Sequence, residues 1–310
     1  MNLHNRYFLT AILFLALLSG CVGNNTAAGN VAANTPLPTS TITSRPTQTT
    51  PASTAGSATP TPAAQPAASE VSSATPAATA DWKSWPMLPT VSAELKAVYQ
   101  LGLENGNDPH AFSILGDCQS QPDVFLGLYD SDPAAVADLP DHLQETVRFF
   151  SGSFDRYSPT VKDATTTGAL LWGEWNDNKE GLCEPGETPL DCELRVHRPS
   201  IVIIHIGTHW ETRNYKYLTI IVEKIIEHGA VPVLATKADD RELDERVNED
   251  VAALAEELGL PVWNFWAAVQ GLTIGGLDPD STWELTGEAL EIHRLSALEA
   301  LDAVWRAVTD

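Results

Sequence analysis

The sequence predicts a three-layer α/β/α domain built on a parallel sheet, and one continuous stretch carries most of that prediction. Residues 201–206 form a short apolar run of mainly β-branched side chains, which is typical of a strand buried on both faces of a parallel sheet. Residues 215–226 then place apolar side chains at helical spacing, and Gly229 follows where a left-handed helix cap belongs. A second β-branched run, residues 230–236, begins directly afterwards. Strand, helix and strand in this order predict a crossover between two parallel strands.

The elements before this crossover are predicted by shorter patterns. Residues 92–103 have the spacing of a helix with Ser92 at its N-cap. Residues 111–115 predict a first strand, and residues 142–150 predict a helix. Residues 151–198, rich in Thr, Gly and Asp, have no pattern that assigns an element.

The elements after the crossover complete the α/β alternation. Asp240 is expected to cap a helix that has Leu243 on its apolar face and Gly259 just past its end. The remaining elements are a short strand, a Gly-rich loop and a closing helix, at residues 261–265, 271–280 and 295–305. This order is that of an α/β domain with a parallel sheet.

The first 21 residues are predicted to be an export signal. Arg6 precedes an apolar run at residues 7–18, and Leu18-Ser19-Gly20-Cys21 resembles the bacterial lipobox, in which the cysteine is acylated. A transmembrane helix is the alternative, but the apolar run is shorter than the roughly 20 residues that a span needs. We expect a lipid anchor on Cys21 at the bacterial cell surface. The anchor would lie on the outer face of the cytoplasmic membrane, or on the periplasmic side if a second membrane exists.

Residues 22–80 are dominated by Ala, Thr, Ser and Pro and lack the apolar side chains of a folded core. We expect a disordered stalk there and one globular domain at residues 81–310. Arg6, Arg45 and Glu70 are the only Lys, Arg, Asp or Glu residues in the first 80, so the domain carries 16 basic against 40 acidic residues. This balance argues against a nucleic-acid partner and leaves small-molecule or glycan esters as candidate ligands.

The four cysteines differ in context. Cys183 and Cys192 flank a Pro- and Gly-containing loop in a chain expected to be exported, which predicts a disulfide. Closing so short a loop stabilises a fold by roughly 2–3 kcal/mol in the chain-entropy model. A zinc site at this pair is the alternative, and it requires further ligands nearby. Cys118 then remains as a free thiol.

Three polar clusters lie where ligands bind in parallel α/β sheets, after predicted strands or before the last helix. They are Gly116-Asp117-Cys118-Gln119-Ser120, Gly207-Thr208-His209-Trp210 and Asp278-Pro279-Asp280-Ser281-Thr282-Trp283. Their order and spacing resemble the SGNH/GDSL hydrolase family, from about residue 111 to the end of the chain. The resemblance implies a flavodoxin-like parallel sheet of the SGNH-hydrolase type and an activity on esters.

The resemblance also implies roles for individual residues. In that family the three clusters carry a nucleophilic Ser, an Asn that donates to the oxyanion, and a His base. This sequence has Cys118, His209 and Trp283 at those positions, and Gly168 is a guess for the family's remaining Gly. The catalytic candidates are Cys118, His209 and Asp280, and the substrate-binding candidates are Asp117, Gly207, Trp210 and Trp283. Without the usual base and oxyanion donor, turnover of simple esters is expected to be low.

Cys118 and His209 each have two interpretations. Cys118 is either a small buried filler at a strand end or a thiolate nucleophile, intrinsically stronger than a serine hydroxyl. His209 either hydrogen-bonds a loop or acts as the base for Cys118, with Asp280 nearby. His205 and His209 have no third ligand near them in the sequence, so no metal and no cofactor is expected.

Three functions follow from these alternatives. The first is a surface-anchored esterase with weakened or thiol-based activity on acyl or acetyl esters. The second is a catalytically inactive module that binds a glycan or another ligand on the same scaffold, and the third is a structural envelope lipoprotein. Trp210 and Trp283 favour an aromatic-walled pocket, although each also fits ordinary loop packing.

Overall fold

A computed structural model of the protein describes residues 81–310. The predicted signal, the lipid site at Cys21 and the stalk therefore lie outside the described residues. Within residues 81–310, no helix has both the length and the apolar character needed to cross a membrane.

The centre of the domain is a parallel sheet of four strands, in the spatial order β1-β2-β3-β4. The strands are β1 (Asp108–Gly116), β2 (Pro199–His205), β3 (Val231–Ala235) and β4 (Val262–Trp263). All seven residues of β2 and all five of β3 are buried, because helices cover both faces of the sheet. The continuous apolar runs in the sequence have the same cause.

Ten α-helices complete the described domain. They are α1 (Glu94–Asn105), α2 (Leu128–Ser131), α3 (Pro133–Ala137), α4 (Asp141–Phe149), α5 (Thr167–Leu170), α6 (Pro189–His197), α7 (Asn214–His228), α8 (Arg246–Leu258), α9 (Phe265–Val269) and α10 (Gly287–Thr309). Helices α5, α6 and α8 pack against α7, whereas α4 and α9 pack against α10. These two helical layers enclose the sheet, so the three-layer α/β/α architecture predicted from the sequence is confirmed.

Within the described domain, the outer edge of β1 has no full strand paired with it. A flavodoxin-like sheet has a further strand outside the first one. Here a single parallel bridge between Gly116 and Val161 occupies that place. The Gly116 N–H donates to the Thr160 carbonyl at 3.0 Å, and the Lys162 N–H donates to the Gly116 carbonyl at 3.4 Å. This bridge brings residues 160–163 to the end of β1, next to the loop that carries Cys118.

The crossover was predicted closely, but the start of α8 was predicted wrongly. Gly229 and Gly259 both cap helices in the left-handed conformation, as expected. Helix α8 begins at Arg246 and not after Asp240, and Leu243 is 86% exposed with a φ of 67°. Asp240 instead accepts the N–H of Glu245 at 2.8 Å within a loop.

The loop before α8 is shaped by a buried lysine. Lys237 follows β3 and is 3% exposed, and its ammonium donates to Asp239 Oδ1 at 2.8 Å and to Glu242 Oε2 at 2.5 Å. A buried cation needs such partners, so the chain after Asp239 folds back on Lys237 before it becomes helical. The predicted strand at residues 261–265 is likewise shorter, because the Asn264 side chain accepts the Ala267 N–H and begins α9.

Candidate active site

Cys118 lies in a one-turn 3-10 helix directly after β1, at the C-terminal edge of the sheet. Asp117 caps that turn, since its side chain accepts the Gln119 N–H at 3.2 Å. The second carboxylate oxygen of Asp117 accepts the N–H groups of Gly207 and Thr208, at 3.2 and 3.0 Å. One buried carboxylate therefore joins the loop after β1 to the loop after β2.

The backbone on either side of His209 is held by further contacts. A Cβ on Gly207 would lie 2.8 Å from Val247 Cγ1 and 2.9 Å from Lys237 Cδ, so only glycine fits there. Arg241 donates to the Thr208 carbonyl at 3.1 Å. On the other side, Glu211 accepts the Gly168 N–H at 2.7 Å and the Thr167 hydroxyl. His209 is thus presented by a loop that is anchored on both sides.

These anchors bring Cys118, Asp163 and His209 together, and we call the three residues the Cys118 cluster. A sulfur, a carboxylate oxygen and a ring nitrogen from them lie within 4.8 Å of one another. The Nε2 atom of His209 is 3.8 Å from Asp163 Oδ1, which is longer than a hydrogen bond. The same Nε2 atom is buried and has no hydrogen-bond partner among the described residues. The cluster therefore contains polar atoms that converge without being bonded to one another.

The Cys118 thiol is half-buried beside two carboxylates. Burial raises its pKa to about 12, with smaller contributions in the same direction from Asp117 and Asp163. The thiol lies 4.0 Å from Asp117 Oδ1, a long contact for a hydrogen bond from sulfur. At neutral pH the group is a neutral thiol, so nucleophilic attack by Cys118 requires a base that takes its proton.

The last polar cluster contributes Trp283 to this region and leaves Asp280 outside it. Gln119 Nε2 donates to the Trp283 carbonyl at 2.5 Å, and the Trp283 ring lies 6.5 Å from the His209 ring. Asp280 is exposed, and its N–H donates to Asp278 at 2.8 Å. The carboxylate beside His209 belongs to Asp163. Trp283 therefore borders the Cys118 cluster.

Sequence reasoning missed Asp163. The residue lies in the segment without a recognisable pattern, and it reaches Cys118 only because Val161 bridges to Gly116 at the edge of β1. The one available signal was that β1 needs a partner outside it, and no run of β-branched residues in that segment supplied one. Gly168, the guessed match for the family's remaining Gly, already donates its N–H to Glu211.

Two of the four substrate-binding candidates are buried, and the other two are tryptophans that lie outside the groove described below. Asp117 is 1% exposed and Gly207 is buried, so both position the loops that hold the Cys118 cluster. Trp210 is 40% exposed, and the Arg246 guanidinium lies 5.0 Å from its ring centre. Neither Trp210 nor Trp283 lines the groove of about 520 Å³ that reaches Asp163. That groove is bordered by residues that include Asp123, Arg156, Tyr157, Pro159, Lys162 and Asp163.

His205 is directed away from His209 and into the core. Its Nδ1 atom lies 3.1 Å from Ser120 Oγ and 3.4 Å from His293 Nε2. Burial lowers the pKa of His205 to about 4, Asp117 opposes that shift, and Lys237 adds to it. Burial also lowers the pKa of His293 well below its usual value. Ser120 is 1% exposed, so this serine and histidine pair has no access to a substrate.

Cys183 and Cys192 are joined in a disulfide, as predicted. Glu187 lies close to both sulfurs, but disulfide sulfurs are not thiolates and do not ligate zinc. Among residues 81–310, Cys118 is the free cysteine.

No family model and no curated protein matches the chain. Among solved structures, the chain is similar to an acetylxylan esterase from Geobacillus stearothermophilus, with 15% identity, a TM-score of 0.43, and coverage of 63% of this chain and 94% of that one. It is also similar to a GDSL-like lipase from Bacteroides thetaiotaomicron, with 14% identity, a TM-score of 0.38, and coverage of 67% and 98%. A psychrotrophic esterase from Pseudoalteromonas has 15% identity and a TM-score of 0.39, with coverage of 63% and 97%. Because these TM-scores are below 0.5, the function argued below rests on the geometry of the site.

Proposed function

We propose that the protein is a lipid-anchored hydrolase of acyl or acetyl esters, in which Cys118 is the nucleophile and His209 is the base. The observation that carries the proposal is the Cys118 cluster itself. Its thiol, imidazole and carboxylate meet within 4.8 Å at the C-terminal edge of a parallel sheet, where ligands bind in open α/β folds. A nucleophile and a base within reach of each other are the minimum that acyl transfer requires.

The reaction proceeds in two steps. In the first, Cys118 Sγ attacks the ester carbonyl while His209 accepts the thiol proton, and the alcohol leaves with that proton as the thioester forms. In the second, His209 takes a proton from water, the resulting hydroxide attacks the thioester, and the acid is released as the thiol is restored. Sγ and the imidazole are closer than 4.8 Å but not hydrogen-bonded, and such contacts commonly tighten when substrate binds.

The rate of this reaction is expected to be low. Burial and two carboxylates keep the Cys118 thiol protonated, with a pKa of about 12. His209 stands where the family that the sequence resembles has its oxyanion-donating Asn, and Trp283 stands where that family has its base. An oxyanion donor alone is worth about 100-fold to 1000-fold in turnover, so its loss is a large handicap.

The substrate is proposed to be a small or glycan-linked ester that lies in the groove beside Asp163 and extends from it to Cys118, since Asp163 is the cluster residue that lines this groove. The groove of about 520 Å³ has the size of a small-molecule site, and Tyr157 and Pro159 supply it with apolar surface. The excess of acidic residues in the domain favours a neutral or cationic substrate over an anionic one.

The cellular location is proposed from residues outside the described domain. The lipobox-like Leu18-Ser19-Gly20-Cys21 supports acylation of Cys21 and attachment to the outer face of the cytoplasmic membrane, or to the periplasmic side of a second membrane. The Cys183–Cys192 disulfide supports an oxidising compartment.

A second candidate is a binding module that has lost its chemistry. The specific observation in its favour is that burial, with Asp117 and Asp163, raises the pKa of the Cys118 thiol to about 12 and so keeps it protonated. Such a module would bind an acylated glycan in the same groove and release it unchanged.

The two candidates are separated by an assay of the purified full-length protein on short-chain aryl esters and acetylated oligosaccharides. A chelator is present so that no adventitious metal ion occupies the Cys118 thiol. Hydrolysis that is slow but measurable, and that is abolished by Cys118→Ala, by His209→Ala and by iodoacetamide, supports the hydrolase. Ser120→Ala serves as the matched control, because Ser120 is a nearby but buried hydroxyl. Hydrolysis that survives Cys118→Ala contradicts the thiol mechanism. Saturable binding of an acylated oligosaccharide without hydrolysis supports the binding module.

A further inference from the structure

We propose that Cys118, Asp163 and His209 form a binding site for one Zn²⁺ ion. Regulation of the proposed hydrolase by this ion rests on the function proposed above, whereas the binding itself does not.

The geometry of the Cys118 cluster fits a single ion better than it fits a set of hydrogen bonds. Typical bond lengths of 2.0–2.3 Å at a tetrahedral zinc place two ligand atoms about 3.3–3.6 Å apart. The His209 Nε2 and Asp163 Oδ1 atoms are 3.8 Å apart, and all three donor atoms lie within 4.8 Å of one another. In a catalytic relay the carboxylate and the nucleophile face opposite nitrogens of the imidazole. In that relay the carboxylate is at Nδ1, whereas Asp163 faces Nε2 of His209, an atom with no hydrogen-bond partner among residues 81–310.

The chemistry of the three donors selects the metal. A cysteine sulfur and an imidazole are poor ligands for Mg²⁺ and Ca²⁺, which require oxygen, and they are the usual ligands of zinc. Three protein ligands leave the fourth tetrahedral position to water or to a bound substrate.

The surroundings also suit a cation. Cys118 and His209 are held in place by the Asp117 carboxylate, which joins their two loops through the N–H groups of Gln119, Gly207 and Thr208. The Asp163 side chain is 75% exposed and borders the groove, so an ion has a path to the site. The 40 acidic against 16 basic residues of the domain draw cations toward its surface.

Occupancy of this site would regulate the proposed hydrolase. An ion bound to Cys118 Sγ uses the electron pair that would attack the ester, and an ion bound to His209 uses the nitrogen that would accept the proton. Zinc is therefore expected to suppress thiol-dependent hydrolysis, and its removal by a chelator to restore it.

The test uses the purified full-length protein after chelator treatment. Zinc is titrated against a chromogenic chelator, and cobalt is titrated as a spectroscopic substitute that shows a thiolate charge-transfer absorption when sulfur is a ligand. We expect one ion per chain, the thiolate absorption with cobalt, and a rise in Tm with zinc. Cys118→Ser, His209→Gln and Asp163→Asn should each lower the zinc affinity at least 10-fold.

The matched control is Asp123→Asn, which removes an exposed carboxylate from the same groove without touching the cluster. Its zinc affinity should equal that of the wild type. The proposal is overturned if zinc does not bind, or if the three cluster variants bind it as tightly as Asp123→Asn does. Zinc binding in a protein without ester hydrolysis would refute the proposed function and leave the metal site standing. Hydrolysis in the chelated protein without zinc binding would refute the metal site and leave the proposed hydrolase standing.

Discussion

One short segment, residues 156–163, contributes side chains to two polar clusters, and the two clusters differ in how far their polar atoms are hydrogen-bonded to one another. The first, which we call the Glu193 cluster, comprises Glu193, Arg156, Ser113 and Ser158. Glu193 is 2% exposed and accepts hydrogen bonds from Arg156, from Ser113 Oγ at 2.5 Å and from Ser158 Oγ at 2.8 Å. The second is the Cys118 cluster, whose polar atoms converge without hydrogen bonds to one another.

This difference indicates that the Glu193 cluster stabilises the fold and that the Cys118 cluster is available to a ligand. Burial alone would raise the pKa of Glu193, but the charge and hydrogen bonds of Arg156 outweigh it, with help from His197 and Ser113, and lower the pKa below its ordinary value. Both oxygens of that carboxylate have partners, and the one buried polar atom of this cluster without a partner among the described residues is Arg156 Nε, a donor of a residue that borders the groove. In the Cys118 cluster the buried Nε2 of His209 has none among the described residues, so its hydrogen-bonding capacity remains for a substrate, a proton or an ion.

The largest expected effect comes from removing the cation of the Glu193 cluster. Arg156→Met leaves Glu193 charged and buried, and it should lower the free energy of unfolding by about 3–5 kcal/mol. Lys224→Met is the control, because Lys224 and Asp191 form an ion pair at 2.8 Å with side chains 38% and 40% exposed. The free energy of unfolding of Lys224→Met should fall by no more than about 1 kcal/mol. Urea denaturation followed by circular dichroism measures both, and equal losses would remove the contrast between buried and exposed pairs.

The next effect concerns the buried histidines beneath the Cys118 cluster. His205 and His293 are neutral when folded, with the pKa of His205 at about 4, whereas both take up protons near pH 6.5 when unfolded. Between pH 6.5 and 4 the unfolded state therefore binds more protons, so stability falls as the pH falls, by roughly 3 kcal/mol for His205 alone. Urea midpoints across this range measure the slope. His293→Phe should flatten it, and an unchanged slope in that variant would show that the pair does not cause the pH dependence.

A smaller loss is expected from opening the disulfide next to the Glu193 cluster. The Cys183–Cys192 bond ties α6, the helix that carries Glu193, to the preceding loop. Cys183→Ala with Cys192→Ala should lower the free energy of unfolding by about 2–3 kcal/mol. Thiol labelling of the unreduced, denatured domain of residues 81–310 should modify Cys118 alone. Labelling of three cysteines would show that the bond is not formed in the isolated protein.

The smallest effect on stability, and a clear effect on activity, is expected at Asp163. Asp163→Asn changes an exposed side chain and should alter the free energy of unfolding by no more than about 0.5 kcal/mol. In the chelated protein it should lower ester hydrolysis about 10-fold, because the carboxylate that faces His209 is lost. Asp280→Asn should leave the rate within about twofold. If Asp280→Asn instead has the larger effect, the carboxylate expected from the family resemblance is the functional one.

The sequence by itself determined the order of the strands, the crossover, and the C-terminal ends of α7 and α8. Residues 199–205 and 231–235 are continuous apolar runs, and Gly229 and Gly259 end helices because a left-handed residue is needed there. The placement of Cys118 and His209 at one edge also followed from the sequence, since both come directly after parallel strands. These features depend on local spacing, which a single chain displays directly.

Only the tertiary structure decided which side chains complete the site. Asp163 joins Cys118 through one backbone bridge at Val161, and the loop before α8 takes its shape from the buried charge of Lys237. Both depend on contacts between residues whose own neighbours show no periodic pattern. A carboxylate such as Asp280 lies at a plausible spacing and yet remains exposed, because spacing along the chain sets the order of loops and not the direction of their side chains.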